Sequence, residues 1–423
     1  MNGKLLLLAG LGLGTSLIIT YSSLAGWEKT WRLWNVQPMY PCFADARVIT
    51  RSAETKALGI EPLGRELNYP RIWEMLSLAG VNQSHTVGFG ITLATLLAIG
   101  LVLVTPATLD KTTAAVLLGS AFSPAVMLGV ERGNIDLLMF FLLAAAVFCM
   151  KKTGAGPRVL AVGLVLFAFV LKLFPWFGMG LVLNQKKAFA IKAGLVALVF
   201  ALVYAAATYA DLVVIRHVTP QNPFHAYGID TLWMKADNST YEGIIVAELS
   251  YTAVVACLML ALFGICSRKF WHTDATDNDP RTLDAFRVGA GVFIGTFLLG
   301  NNGDYRLVFL LFVIPQLIFW SRRSAAPVSR VARGLVPIIL LSLWSMLLER
   351  PAAAHLGFAA PLAHDASNWL IFAGLLFLFV CSVPTWIKEA ASNLDALLRR
   401  SAVPNEEKKK GRTTGPALHT LEN

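Results

Sequence analysis

Several stretches of this chain run for about 20 residues without a charge, the length a helix needs to cross the roughly 30 Å hydrocarbon core of a bilayer. Hydrocarbon offers no partner to a peptide group, so a chain with many such runs folds as spanning helices or as a closed barrel. The barrel fails here, because the runs are continuously apolar and lack the alternation and even turn spacing of membrane strands. With 56% of its 423 residues hydrophobic and only 15% charged, the chain is expected to be an all-α, polytopic membrane protein.

The net charge of +10 invites a nucleic-acid reading. Most of the basic residues, however, stand in short clusters beside apolar runs, as the positive-inside bias requires. The charge is therefore read as topology, with membrane lipids as partners and no nucleic acid. Cys149, Cys257, Cys266 and Cys381 lie in or beside apolar runs and Cys42 stands alone in a polar segment, which gives no disulfide framework and no CxxC metal site.

Spans are expected near 5–26, 84–104, 112–130, 134–150, 193–210, 244–266, 286–302, 306–321, 334–348 and 367–386. The first could pass for a secretory leader, but its apolar run is long for one, and a retained span is expected. Between Arg158 and Asn184 the chain is apolar except for Lys172, which Leu173-Phe174-Pro175 follows at once. Proline there disfavours a continuous helix. One span would also throw Lys186, Lys187 and Lys192 to the outside and invert every later loop. A break at Lys172 to Pro175, giving two short helices near 159–184, instead makes Lys151, Lys152, Arg158, Lys186, Lys187, Arg268, Lys269, Arg322, Arg323, Arg330 and Arg333 all cytoplasmic. The expectation is about 12 crossings with both termini cytoplasmic. Residues 1–386 then form the transmembrane domain, with long external loops at 27–83 and 211–243. Residues 387–423 form a cytoplasmic tail, amphipathic from Ile387 to Arg400 and largely disordered beyond.

The first loop carries Trp27, Trp31 and Trp34, a helical-looking stretch from Ala44 to Leu58, and Asn68-Tyr69-Pro70. So many aromatic residues suit a segment lying on the membrane surface. On this topology the unusual polar clusters all map to the external boundary: Asp45 with Arg47, Glu131-Arg132-Gly133-Asn134-Ile135-Asp136, Lys172, the 211–243 loop, and Asn301-Asn302-Gly303-Asp304-Tyr305-Arg306. Each has a plain reading. Asp45 could be a first-turn helix charge, Glu131 to Asp136 and Asn301 to Arg306 interhelical turns, and Lys172 a snorkelling side chain. Charges at membrane boundaries are costly without water or a partner, which makes all of them site candidates. Asp45 and Arg47, two apart on a helix, would address different partners. A carboxylate among aromatic rings has a desolvation-raised pKa, suited to taking a proton from a hydroxyl. Ser123-Pro124 should kink the helix entering the 131–136 turn, with Gly133 supplying the turn itself. His225, His355 and His364 lack ligand spacing. Asp45, Glu131, Asp136 and Asp304 could hold a hard cation, but nothing in their spacing says so; no metal and no cofactor is expected.

Taken in order, Phe43-Ala44-Asp45-Ala46-Arg47-Val48, Asn68-Tyr69-Pro70, Ser123-Pro124 with Glu131 to Asp136, Leu171-Lys172-Leu173-Phe174-Pro175 and Asp304-Tyr305-Arg306 resemble glycosyltransferase family 87. That family includes polyprenyl-phosphate-mannose-dependent α-mannosyltransferases of bacterial envelopes, and the likeness covers about Phe43 to Gln316. It implies a GT-C-type architecture, a catalytic aspartate in the first external loop, and a lipid-phosphate sugar as donor. Asp45 becomes the expected base. Arg47, Glu131, Arg132, Asn134, Asp136, Lys172, Asp304, Tyr305 and Arg306 become candidates for binding the donor phosphate or sugar, with Lys172, Arg132 and Arg306 facing the phosphate charge. The expected activity is transfer of a hexose, mannose by inheritance from the family, from a polyprenyl-phosphate donor to an envelope lipid or glycan on the outer face of the bacterial cytoplasmic membrane. A secondary transporter or lipid-linked sugar flippase is the rival, since broken helices and intramembrane charges also mark transporters. Against it, no matching broken pair is expected in the two halves of the chain, and the polar groups crowd one side instead of the midplane.

Overall fold

In the computed structural model, which describes residues 2–60, 67–106, 108–236, 240–266, 280–323, 327–356 and 359–402, each apolar run becomes helix. The order is α1 (Gly3–Ala25), α2 (Trp27–Arg32), α3 (Ala44–Ala57), α4 (Thr86–Val104), α5 (Lys111–Ala121), α6 (Pro124–Arg132), α7 (Asp136–Met150) and α8 (Ala155–Leu171). After a 3-10 segment at Phe174–Asn184 come α9 (Lys187–Ala207), α10 (Tyr209–Val218), α11 (Thr231–Lys235), α12 (Tyr241–Cys266) and α13 (Pro280–Leu298). Other 3-10 segments lie at Arg71–Ala79 and Gln83–His85, and the one at Asp304–Phe312 leads into α14 (Ile314–Arg323), α15 (Val328–Leu356), α16 (Ala359–Ser382) and α17 (Thr385–Ala402). Strands β1 (Ala226–Tyr227) and β2 (Asn302–Gly303) pair antiparallel, Ala226 with Gly303 and Tyr227 with Asn302.

Among the described residues six helices are long and apolar enough to cross a membrane, α1, α4, α9, α12, α15 and α16, and two bent pairs would add two more. With the shorter α7, α8 and Phe174–Asn184, and with α13, they follow one another in the order of the twelve expected segments. The protein is thus all-α and polytopic. The amphipathic stretch expected after Ile387 is α17, and the disorder expected further on falls outside the described residues.

Both bends measure 50°. The first separates α5 from α6 at Phe122-Ser123, with Pro124 opening α6 as expected, because a proline in the first turn loses no helical hydrogen bond. The second separates Asp304–Phe312 from α14 at Val313 and corrects the sequence reading, which found no matching break in the second half. Pro315 sits in the first turn of α14, so the break hides inside an uninterrupted apolar run. The break at Lys172 is where it was expected. There α8 ends at Leu171, Lys172 takes an extended conformation (φ −163°, ψ 114°), and Pro175 lies in the opening turn of the next segment.

The central helix is α7, buried along most of its 15 residues between α4, α8, α13 and the 3-10 segments Phe174–Asn184 and Asp304–Phe312. Lipid tails are as apolar as leucine, so close packing holds these helices together. Phe140 meets the Phe312 ring at 4.5 Å and Phe309 at 6.2 Å. Gly291 and Gly295 on α13 give a small-residue seam against which Phe177 lies. A Cβ at Gly295 would stand 2.2 Å from that ring.

Candidate active site

The start of α3 is held by what surrounds Phe43, a non-glycine residue in the left-handed region (φ 58°). Its ring packs edge-on to Trp27 at 5.2 Å and lies over Gly90, where a Cβ would come within 2.4 Å of it. Such a conformation persists only where packing dictates it. About two turns further on, Thr50 and Thr86 share a buried hydroxyl hydrogen bond of 2.7 Å, fixing α3 to α4.

Opposite stands the turn between α6 and α7. Gly133 closes α6 with φ 57°, and the Gly133 and Asn134 amides donate back to Val130 and Gly129 at 3.1 and 3.0 Å, the left-handed cap that glycine favours. A Cβ at Gly133 would sit 3.0 Å from the Cβ atoms of both Ala46 and Phe43. The bare glycine therefore lets α3 touch the turn. This contact brings Asn134 to Asp45, whose Oδ2 accepts from Asn134 Nδ2 at 2.5 Å.

Behind Asn134 lies a buried ionic cluster. Its Oδ1 accepts the Asp136 backbone N–H at 2.9 Å and Lys172 Nζ at 3.4 Å. The Asp136 carboxylate lies between two cations, Lys172 Nζ at 2.5 Å and Arg306 Nε at 3.1 Å. Arg306 also donates to Asn302 Oδ1 and lies 4.8 Å over the Phe174 ring. Lys172 Nζ stands 5.1 Å from the Tyr69 ring centroid and 5.9 Å from that of Tyr305, as cation–π geometry allows.

In front of Asn134 opens a cavity of about 700 Å³ whose lining includes Asp45, Asn68, Tyr69, Arg132, Asn222, His225, Asn301 and Tyr305. Residues 219–226 of the second long loop form its far wall. There the Asn222 N–H donates to Asn301 Oδ1 at 3.2 Å, Asn301 Nδ2 donates to the Asn222 carbonyl at 2.8 Å, and the β1–β2 pairing continues the join. Burial pushes the Asp45 carboxyl above the ordinary carboxylate range, against the opposing pull of the Asn134 hydrogen bond and of the Arg132 and Lys172 charges. Burial likewise lifts the Tyr69 phenol well above its ordinary range, so it stays neutral.

The structure thus gathers Asp45, Asn134, Asp136, Lys172, Tyr305 and Arg306 into one contiguous cluster. Of the three cations expected to face a phosphate, Arg132 lines the cavity; Lys172 and Arg306 lie behind it on Asp136. Glu131 is fully buried, takes the Met39 N–H on Oε1 at 2.8 Å and holds Arg132 Nε at 3.3 Å. Asp304 is buried, with its N–H on the His225 carbonyl at 2.9 Å and its carboxylate 3.5 Å from His364 Nε2. Arg47, two residues along α3 from Asp45, does not line the cavity.

Sequence reasoning placed Asn301 and Asn302 in a boundary cluster but gave neither a role; the structure makes Asn302 a partner of Arg306 and builds a cavity wall from Asn222 and Asn301. The sequence reading also set His225 and His364 aside as unspaced histidines. The run Asn301-Asn302 beside Asp304 was the available signal; the pairing with the far loop had none. Among the described residues no three His, Cys, Asp or Glu side chains gather as a metal site.

No family model matches the chain. No curated protein matches it either. Among solved structures it is similar to ArnT from Cupriavidus metallidurans in the apo state, at 13% identity and a TM-score of 0.36, over 88% of this chain and 78% of that one.

Proposed function

We propose that this chain is an integral membrane glycosyltransferase of GT-C type that moves a hexose, mannose by the family resemblance, from a polyprenyl-phosphate donor to an envelope lipid or glycan acceptor. The catalytic cavity opens on the outer side of the bacterial cytoplasmic membrane, with both termini inside. One observation carries the reading: Asp45, half-buried and raised in pKa, shares the wall of a polar cavity with the Arg132 guanidinium.

That pairing divides the chemistry of glycosyl transfer between two groups. Asp45 takes the proton of the acceptor hydroxyl as its oxygen attacks the anomeric carbon. The bond from that carbon to the phosphate oxygen breaks, and the lipid phosphate leaves with the electron pair. Its developing charge is met by Arg132, whose planar fork suits phosphate oxygens. A lipid phosphate leaves readily, so the scheme calls for no protonating acid. Lys172 and Arg306, pinned on Asp136, keep the floor of the site positive without moving. The test is transfer by the purified protein from a polyprenyl-phosphate hexose to an envelope lipid extract: Asp45→Asn should abolish it while the protein remains folded. Full turnover by that variant would sink the proposal.

One observation favours the transporter reading, namely the equal bends in the two halves of the chain. A transporter, however, gathers its ligand groups at such breaks. Here the two 50° bends are flanked by Phe122, Ser123, Phe312, Val313 and Ile314, while the charges collect away from them, at Arg132 to Asp136, at the separate break at Lys172, and at Asn302 to Arg306. Reconstituted vesicles separate the two: lipid-sugar crossing without a new glycosidic bond would favour transport.

A further inference from the structure

Asn134 faces two ways, and its neighbours leave it no choice about which. A side-chain amide seen in a structure has two orientations, and hydrogen-bond logic must choose between them. On one side of Asn134 stand the Asp136 backbone N–H at 2.9 Å and the Lys172 ammonium at 3.4 Å. Both can only donate. The amide oxygen must therefore face them, and the NH₂ must face Asp45. The Asp45 carboxylate, when ionised, can only accept, and Nδ2 reaches it at 2.5 Å. Reversing the amide would set its oxygen against a carboxylate and its NH₂ against two donors. The Lys172 ammonium is fixed in turn by Asp136, which Arg306 holds from the other side.

We infer that Asn134 is a positioning residue for Asp45, locked by the Lys172–Asp136–Arg306 cluster so that it presents a donor to one carboxylate oxygen and leaves the other oxygen free to take the acceptor's proton. This rests on the glycosyltransferase reading and deepens it. Asn134 then does not bind donor, and the two buried cations serve the base rather than the phosphate. The arrangement also sets when Asp45 is ionised. Six groups face it: Arg132 and Glu131 from α6, Asp136 from α7, Lys172 from the end of α8, Tyr69 from the first loop and Tyr305 from the Asp304–Phe312 segment. Arg132, Lys172 and the Asn134 donor favour the ionised form; Asp136 and burial oppose it.

The experiment is a pH profile of kcat/KM with purified polyprenyl-phosphate hexose. A base must be ionised, so activity falls as pH drops through the pKa of Asp45. Asn134→Ala removes a donor to the charged form, which raises that pKa. The acid limb should move up by about one pH unit, with about tenfold loss below it and recovery above it. Lys172→Met, which leaves Asp136 paired with Arg306, should move the limb the same way, and less so in the Asn134→Ala background because part of its influence passes through the amide. A uniform loss at every pH, a rise in donor KM with the limb unmoved, or equal Lys172→Met shifts in both backgrounds would overturn the inference. An active Asp45→Asn would instead overturn the catalytic reading beneath it, whatever Asn134 does.

Discussion

Among the buried ion clusters of the described residues, those at Asp365 and Asp136 differ in how cations meet the carboxylate. Lys235 of α11 grips both oxygens of Asp365 of α16 at 3.0 and 2.8 Å, with side chains 4% and 2% exposed. Asp136 instead meets two cations, and the positive excess is passed through Asn134 toward a second carboxylate, Asp45, on the wall of a cavity. The Lys235–Asp365 cluster ties α11 to α16, and neither residue lines the cavity. An unbalanced cluster has charge to lend, and the lender's neighbour is where chemistry is to be sought.

The sharpest way to break this contrast is to remove the borrower. Asp45→Asn should lower transfer by about 10²–10⁴-fold, the usual worth of a general base. Its stability should move the other way. A carboxyl raised on folding costs stability wherever it is ionised, so above the raised pKa the variant should melt no lower than the parent. Asp365→Ala should do the reverse: leaving Lys235 buried and unpaired should cost about 3–5 kcal/mol in unfolding while the acid limb of kcat/KM stays put. A Lys235→Met, Asp365→Leu double variant should recover much of that loss. If Asp365→Ala moved the pH profile, the two clusters would not be distinct.

Arg132→Gln sharpens the comparison from the cavity side. It removes a charged partner for phosphate worth about 1.5–3 kcal/mol, read as a rise in donor KM of about tenfold or more. The smallest effect belongs to Gly133→Ala. The left-handed backbone and the 3.0 Å approach of Ala46 and Phe43 should cost about 1–3 kcal/mol, and activity should fall because Asn134 is carried away from Asp45.

Much of the frame was legible because it follows from single-chain physics. A proline after Lys172 stops a helix wherever it occurs, Ser123-Pro124 bends one, and Ala44 to Leu58 reads as a helix that the structure gives as Ala44–Ala57. The separate errands of Asp45 and Arg47 followed from helical spacing. What stayed hidden was partnership at long range. Nothing local says that Asp136 will meet Arg306, 170 residues away, or that Lys235 will meet Asp365, 130 away. Those choices are made by packing, and packing of α6 on Asp304–Phe312 depends on a bend at Val313 that an unbroken apolar run conceals.

The shortness of α7 carries a last consequence. Fifteen residues reach about 22 Å at 1.5 Å per residue, roughly 8 Å less than the hydrocarbon they must bridge. On the topology proposed above, Lys151 and Lys152 anchor in one headgroup layer, and Asp136 and its companions would lie sunken beneath the other, in a dimple rather than at the rim. A lipid-borne sugar need then be lowered toward the bilayer rather than lifted out of it, and the depth of that descent varies with acyl-chain length.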